Sequence, residues 1–132
     1  MIATLYERWL LEMWAGDFRL AHELVTPGFV GHWPEREVRG PEQLIEALAQ
    51  AHAPFDDVTV TLDVGPIVDG ERVAARWTFG GRYKGGMPGA TAPPGTAVSL
   101  SGHDILRVEG GRFAEYWVIS DVQTFSRQLG MS

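Results

Sequence analysis

The chain has 132 residues, of which 45% are hydrophobic, and it carries a formal net charge of −6. A chain of this size forms one domain with its own core, because it buries roughly two thirds of its unfolded surface. The acidic balance argues against a nucleic-acid partner, since phosphate binding requires clustered Lys and Arg. The absence of cysteine excludes disulfides and thiolate chemistry. We expect one cytoplasmic domain over residues 1–132, with no signal peptide and no membrane contact, because no apolar run approaches about 20 residues.

The N-terminal third is predicted to be helical. Leu5, Trp9 and Met13 recur every four residues, which indicates a first helix that ends at Gly16. Asp17 can cap a second helix. The buried stripe of that second helix is expected to contain Phe18, Ala21, Leu24 and Val25.

Proline and glycine mark the next boundaries. Pro27 and Gly28 are expected to stop the second helix before a short strand over residues 29–33. A third helix opens at Gly40 and Pro41, since proline suits a first helical turn. The inner face of the third helix is expected to contain Leu44, Ala47, Leu48 and Ala51.

From Asp57 onward the hydrophobic period changes to two, which predicts strands. Turn signals at Asp69-Gly70 and Gly110-Gly111 separate antiparallel neighbours. The predicted strands are 58–64, 73–79, 98–108 and 113–122. Helices followed by consecutive antiparallel strands predict an α+β fold in which the helices cover one face of a curved sheet. The Gly/Pro-rich stretch 84–96 is interpreted either as a functional loop or lid or as a disordered hairpin tip.

Asp104 is the first candidate for a functional group. It shares one face of its predicted strand with Leu106 and Val108, and Ser101 and His103 lie on the other face. A lone carboxylate on an apolar face is costly unless it is paired or lines a polar cavity. Asp104 is therefore either an acid or base with a raised pKa, or a structural carboxylate paired with an arginine such as Arg76.

The last hairpin has two possible geometries. A turn of only Gly110-Gly111 places Asp104 opposite Trp117 on the same face. A three-residue turn with a glycine bulge inverts the parity, so that Tyr116, Val118 and Ser120 share the face of Asp104. Asp121 either caps a C-terminal helix that begins at Val122, which its position favours, or faces the pocket.

His32, beside Trp33, is either a surface or otherwise satisfied histidine, or a residue of a pocket mouth that acts as acid, base or hydrogen-bond donor. Hydrogen-bond donors for an enolate oxygen are also available from Tyr83, Tyr116 and Trp117. The histidines lack metal-ligand spacing, and nucleotide-binding motifs are absent from the sequence. We therefore expect neither a metal nor a cofactor.

The segment from Gly85 to Gly130 resembles the SnoaL-like polyketide cyclases. The matching pieces are GGMP at 85–88, SG at 101–102, LRV at 106–108, GR at 111–112, DVQ at 121–123 and RQLG at 127–130. Weaker agreement covers the tryptophan-bearing first helix, TPGFV at 26–30 and GPE at 40–42. The resemblance implies a cone-shaped α+β barrel, shared with scytalone dehydratase and ketosteroid isomerase. In that fold a curved, mixed or antiparallel sheet packs against N-terminal helices around an internal hydrophobic pocket.

The resemblance also implies a chemistry. The family's cyclases close a ring by intramolecular aldol condensation without a cofactor, using an aspartate base and a nearby histidine. By position, the family's histidine falls on Asp104 and its aspartate falls on Val118. Asp104 can replace that base, with His32, in a cyclisation, isomerisation or dehydration. The alternatives are an accessory role in hydroxylation, or a binding module or pseudoenzyme that holds a ligand without turnover.

The expected ligand is a hydrophobic, oxygen-bearing small molecule such as an aromatic polyketide. Its binding walls are expected to be aromatic, with Val118 beside them. These predicted wall residues are Trp14, Trp77, Phe79, Tyr83, Tyr116 and Trp117. The resemblance further implies a homodimer through the outer face of the sheet.

Overall fold

The computed structural model describes residues 1–131 and contains one curved, unclosed sheet with helices packed on one face. The strands are β1 (Val25–Trp33), β2 (Arg36–Arg39), β3 (Phe55–Asp69), β4 (Arg72–Tyr83), β5 (Ala97–Glu109) and β6 (Arg112–Ser120). Their order across the sheet is β2-β1-β6-β5-β4-β3. The β1–β6 pair is parallel, and the other four pairs are antiparallel. The predicted α+β class and curved mixed sheet are confirmed.

The helices enclose the concave side of this sheet. They are α1 (Ile2–Arg8), α2 (Ala21–Leu24), α3 (Gly40–His52) and α4 (Val122–Gln128). A π-helical segment, Trp9–Met13, continues α1, and a 3₁₀ turn, Phe18–Leu20, precedes α2. Trp9 and Met13 are fully buried, and so are Leu44 and Leu48 of α3, which confirms the predicted inner faces. Within residues 1–131, no helix is long and apolar enough to cross a membrane.

The second helix is shorter than predicted. Val25 begins β1 instead of ending the helical stripe, and the strand continues through Pro27 and Gly28. Val25 pairs with Phe113 of β6, and the pairing becomes irregular between Val25 and Val30. Proline is tolerated at such an irregularity, because no ladder hydrogen bond is required of its nitrogen. The expected cap at Asp17 is also wrong, because its side chain makes no capping hydrogen bond.

The β5–β6 hairpin combines a two-residue turn with a bulge. Glu109 pairs with Arg112 across Gly110-Gly111, so the turn itself has only two residues. The register then shifts between Arg107 and Val108, which leaves Ala114 as an extra residue in β6. The side chains of β6 therefore face the sides that were predicted for the longer turn. The bulge responsible, however, lies inside the strand and not in the turn.

The loop 84–96 is anchored to the end of the chain. The backbone N–H groups of Thr91 and Ala92 both donate to the Leu129 carbonyl at 3.0 Å. The hydroxyl of Tyr83 accepts the Met87 N–H at 2.8 Å. These bonds hold Met87 over the helix-covered face of the sheet, where it packs against the core. The structure therefore shows an ordered loop rather than a disordered tip.

Candidate active site

Asp104 lies on the concave face of β5 and is held by three hydrogen bonds. Tyr6 of α1 donates to Oδ2 at 2.9 Å, whereas Trp77 of β4 and Tyr116 of β6 donate to Oδ1 at 2.8 and 3.0 Å. The residue is only 2% exposed, and it is the one charged residue that is buried in the described chain. The donors come from three separate elements, so the whole fold determines the position of this carboxyl group.

The surroundings of Asp104 move its titration towards neutral pH. Burial raises the pKa of Asp104 to about 6, and the three hydrogen bonds oppose this rise because they favour the charged form. Burial and the nearby carboxylate also raise the pKa values of Tyr6 and Tyr116, so both tyrosines stay protonated and remain donors. Such a carboxyl group can accept or donate a proton under physiological conditions.

The structural alternative, an ion pair with Arg76, is wrong. The Arg76 guanidinium lies 3.1 Å from His103 Nε2 on the outer face of the sheet, which is the opposite face from Asp104. None of the ion pairs formed within residues 1–131 includes Asp104. Its three partners are all neutral groups.

Asp104 opens onto an apolar cavity of about 260 Å³ between the helices and the sheet. Among the described residues, seven aromatic side chains line this cavity, and Gln50 and Ser120 are the only polar lining residues besides Asp104 and the aromatic ones. The lining consists of Leu10, Trp14, Trp33, Gln50, Ala51, Pro54, Phe55, Val60, Trp77, Phe79, Met87, Leu100, Asp104, Tyr116, Val118, Ser120 and Phe125. Gln50 is exposed, and Met87 and Phe125 are partly exposed, so the cavity reaches solvent between α3, the loop 84–96 and α4.

The structure brings most of the predicted site residues together. Asp104 and five of the seven expected binding residues line the cavity: Trp14, Trp77, Phe79, Tyr116 and Val118. Val118 is the direct cross-strand partner of Asp104, so the position of the family's aspartate faces the carboxyl group across the hairpin. Tyr83 is buried next to the cavity but does not line it, and its hydroxyl accepts a bond from the loop instead.

His32 and Trp117 lie on the outer face of the sheet, away from Asp104, so their expected places in the pocket require correction. The ring of His32 stacks on Trp117 with centroids 5.6 Å apart, and its Nε2 lies 2.7 Å from a carboxylate oxygen of Glu115. Side chains alternate along β6, so Tyr116 and Val118 point inward while Glu115 and Trp117 point outward. The bulge at Ala114 produces this parity, and the predicted pairing of His32 with Asp104 is not formed.

Sequence reasoning missed Tyr6 and Trp33. Tyr6 belongs to a buried helical stripe with Trp9, Leu10 and Met13, at spacings of three, four and seven residues. A buried tyrosine needs a partner for its hydroxyl, so this stripe already indicated a polar acceptor in the core. Trp33 ends β1, and its ring packs edge-on against Tyr116 with centroids 5.1 Å apart.

The described residues offer no metal site, because no group of three or more His, Cys, Asp or Glu side chains within residues 1–131 could hold an ion. Asp121 takes its predicted structural role, since its Oδ1 accepts the Thr124 N–H at 3.1 Å and caps α4.

Comparison with known proteins gives both a family and a fold. A sequence model of the SnoaL-like polyketide cyclase family matches residues 4–129. The chain is similar to TsrD from Streptomyces laurentii, with 31% identity and a TM-score of 0.82 over 99% of this chain and 96% of that chain. It is also similar to IdmH from Streptomyces antibioticus, a proposed polyketide cyclase, with 28% identity and a TM-score of 0.77 over 92% of this chain and 93% of that chain.

A more distant structure has the same fold. A protein from Catenulispora acidiphila with a ketosteroid isomerase-like fold is 18% identical, with a TM-score of 0.77 over 97% of this chain and 93% of that chain. No curated protein sequence matches the chain. Because the family match extends over nearly all of its length, the chain belongs to the SnoaL-like polyketide cyclase family.

Proposed function

We propose that the protein catalyses a cofactor-free cyclisation, isomerisation or dehydration of a hydrophobic, oxygen-bearing small molecule, with Asp104 as the proton-transferring group. The buried Asp104 carboxyl group, which opens onto an aromatic cavity, carries this proposal. A carboxyl group with a pKa near the working pH is suited to both halves of a proton transfer. The family match supports a small-molecule role of this general kind.

The proposed step begins with a substrate carbonyl close to Asp104. The carboxylate removes a proton from the carbon next to that carbonyl, and the C–H electrons form the enolate. The protonated Asp104 then gives the proton back in one of three ways. It protonates another carbon in an isomerisation, or the alkoxide that forms when the enolate carbon attacks a second carbonyl in a cyclisation. In a dehydration it protonates a β-hydroxyl, whose C–O bond breaks as the enolate electrons form the new C=C bond and water leaves. Tyr116 donates to Asp104 in the free protein, and its hydroxyl can turn to the enolate oxygen once Asp104 is protonated.

This mechanism differs from the family's aldol chemistry in the position of its base. The family's aspartate falls on Val118, which has no titratable group, whereas Asp104 occupies the position of the family's histidine. His32 is not included in the mechanism, because it contacts Glu115 on the other face of the sheet. Val118 favours a second candidate function, in which the cavity binds its ligand without turning it over.

Hydrogen–deuterium exchange at carbon distinguishes the two candidates. The probe is 2-tetralone, a bicyclic aromatic ketone, incubated in D₂O with the protein and followed by proton NMR. We expect the protein to accelerate exchange next to the carbonyl, and D104N to slow it by about 100-fold or more. D69N is the matched control, because Asp69 is exposed at the β3–β4 turn, outside the cavity.

The possible outcomes are distinct. Equal rates for wild type and D104N would remove Asp104 from the mechanism. A wild-type protein that binds 2-tetralone without accelerating its exchange would favour the binding module. The proposal requires rapid exchange in wild type and D69N and slow exchange in D104N.

We also propose that the protein is a homodimer through the outer face of its sheet. Ile105 and Ile119 are 47% and 72% exposed on this face: Ile105 pairs with Trp117 across the hairpin, and Ile119 lies two residues beyond Trp117 on β6. Ile67 of β3 extends the same face and is 60% exposed. Exposed apolar surface of this kind on neighbouring strands is typical of a protein–protein contact.

A further inference from the structure

Among residues 1–131, the negative charge of Asp104 has no positive partner. Buried carboxylates are nearly always paired with a cation or a metal, because an isolated charge in apolar surroundings is costly. Within residues 1–131, the hydrogen-bond partners of Asp104 are the neutral side chains of Tyr6, Trp77 and Tyr116. These donors stabilise the carboxylate, but they leave its net charge uncompensated.

The walls of the cavity favour a cation and disfavour an anion. Its seven aromatic rings can present faces of partial negative charge, which attract cations. None of the described residues that line the cavity is Lys, Arg or His, so the only charge that they offer an anionic ligand is the Asp104 carboxylate. The overall charge of −6 adds a long-range attraction for cations.

The titratable groups around the cavity are few. Tyr6 and Tyr116 contact Asp104 as neutral donors. His52 packs edge-on against Phe79 at 5.5 Å, and its Nε2–H is directed to the Trp14 carbonyl, at 2.7 Å. His52 therefore lies behind the wall and does not supply a positive charge inside the cavity.

Asp104 also has an acceptor site left for one more hydrogen bond. Oδ1 already accepts two bonds, whereas Oδ2 accepts one. Each carboxylate oxygen has about two acceptor sites, so Oδ2 can accept a bond from a ligand N–H. The volume of about 260 Å³ lies below the roughly 300–1,000 Å³ of pockets for drug-sized ligands, which points to a compact ligand of about two fused rings.

We infer that the cavity binds a small aromatic ligand with a protonated amine, and that the Asp104 carboxylate is the counter-ion of that amine. The inference rests on the proposed function only in placing the ligand beside Asp104. The inference concerns the charge of the ligand that the cavity selects, and not its turnover. The inference and the proposed function can therefore fail separately.

Three bicyclic probes of matched size test the inference: 1-naphthylmethylamine, 1-naphthalenemethanol and 1-naphthoate. At pH 7.5 they are a cation, a neutral molecule and an anion. Isothermal titration calorimetry should show the amine binding about tenfold tighter than the alcohol, and the naphthoate binding weakest. Equal affinities for amine and alcohol, tightest binding of the naphthoate, or no binding of the amine would each overturn the inference.

The pH provides a second test that needs no substitution. Because the pKa of Asp104 is about 6, lowering the pH from 7.5 to 5 should weaken amine binding about tenfold while the amine itself stays charged. Binding of the neutral alcohol should not change. Amine affinity that stays constant between these pH values would contradict the role of Asp104 as counter-ion.

The variant D104N should remove the preference for the amine and retain the affinity for the alcohol. D69N, which removes one exposed carboxylate and changes the net charge equally, should retain the preference. If D69N lost it as well, long-range charge rather than Asp104 would explain the selectivity, and the inference would fail. Deuterium exchange with the neutral ketone tests the acid–base proposal independently.

Discussion

At the scale of single residues, Asp104 is governed by two opposing effects. Desolvation favours its neutral form, whereas the bonds from Tyr6, Trp77 and Tyr116 favour its charged form. Desolvation is the larger effect, and the resulting pKa of about 6 lies within the range useful for proton transfer near neutral pH. Each donor to the carboxylate therefore tunes the acidity of the candidate active site.

We expect Y6F to raise the pKa of Asp104 above its wild-type value of about 6. The substitution removes the donor to Oδ2, so the charged form loses stabilisation while burial is retained. NMR titration of the carboxyl carbon measures this change. Y83F is the control, because Tyr83 is buried but its hydroxyl contacts Met87 rather than Asp104. A pKa that stayed the same or fell in Y6F would show that Tyr6 does not stabilise the carboxylate.

The same shift predicts a pH-dependent stability. The pKa of Asp104 is raised in the folded state, so its contribution to stability is present below pH 4 and is lost as the pH rises through about 6. From pH 4 to pH 7, the free energy of unfolding of wild type should fall by about 2 kcal/mol relative to that of D104N. Urea unfolding across this range measures the difference. The idea fails if the free energies of unfolding of wild type and D104N change in parallel with pH. The control D69N should follow wild type.

At the scale of elements, the β5–β6 hairpin decides which side chains enter the cavity. The extra residue Ala114 inverts the alternation of β6 relative to a regular two-residue hairpin. Tyr116 and Val118 therefore face Asp104, whereas Glu115 and Trp117 face outward beside His32. One bulge thus determines both the polarity of the cavity and the character of the opposite face.

Deletion of Ala114 should leave the register of the β5–β6 hairpin unchanged. The deletion removes only the extra residue between the Val108–Phe113 and Arg107–Glu115 pairs, so Tyr116 and Val118 keep their places in a regular hairpin. NMR titration of Asp104 checks this, because its raised pKa depends on burial within the same fold. The substitution A114G keeps the residue count and is the control. A deletion variant in which the pKa of Asp104 is no longer raised would show that the register requires the bulge.

At the scale of the whole molecule, the sheet separates two surfaces of different character. The concave face packs against the helices and holds the cavity. The outer face carries the ion pair of Arg107 with Glu115 beside the exposed side chains of Ile105 and Ile119 and the partly buried Trp117. This mixture of apolar and charged groups is the basis for the proposed dimer.

We expect I119D to convert the proposed dimer into a monomer. The substitution places a charge in the apolar part of the contact, where it would lose its hydration. Light scattering coupled to size-exclusion chromatography measures the molar mass. V122D is the control, because Val122 is 61% exposed but begins α4 rather than lying on the sheet. A wild-type protein that is already monomeric at micromolar concentration would contradict the proposal.

The sequence by itself determined the features that depend only on residues close together along the chain. The alternation of β5 placed Asp104 on the inner face, the stripe of α3 placed Leu44 and Leu48 in the core, and Asp121 was recognised as a helix cap. These features follow from the periods of single elements, 3.6 residues for a helix and two for a strand. The end of the second helix was predicted incorrectly because Val25 pairs with Phe113, 88 residues further along the chain.

Only the tertiary structure decided how the elements meet. The bulge at Ala114 moved His32 and Trp117 away from Asp104, and the fold brought Tyr6 to a carboxylate 98 residues distant. Strand register and contacts of this range depend on how side chains from separate elements pack together, and no local period encodes them. The sequence therefore identified the central carboxyl group, whereas packing selected its partners, its pKa and the cavity that it faces.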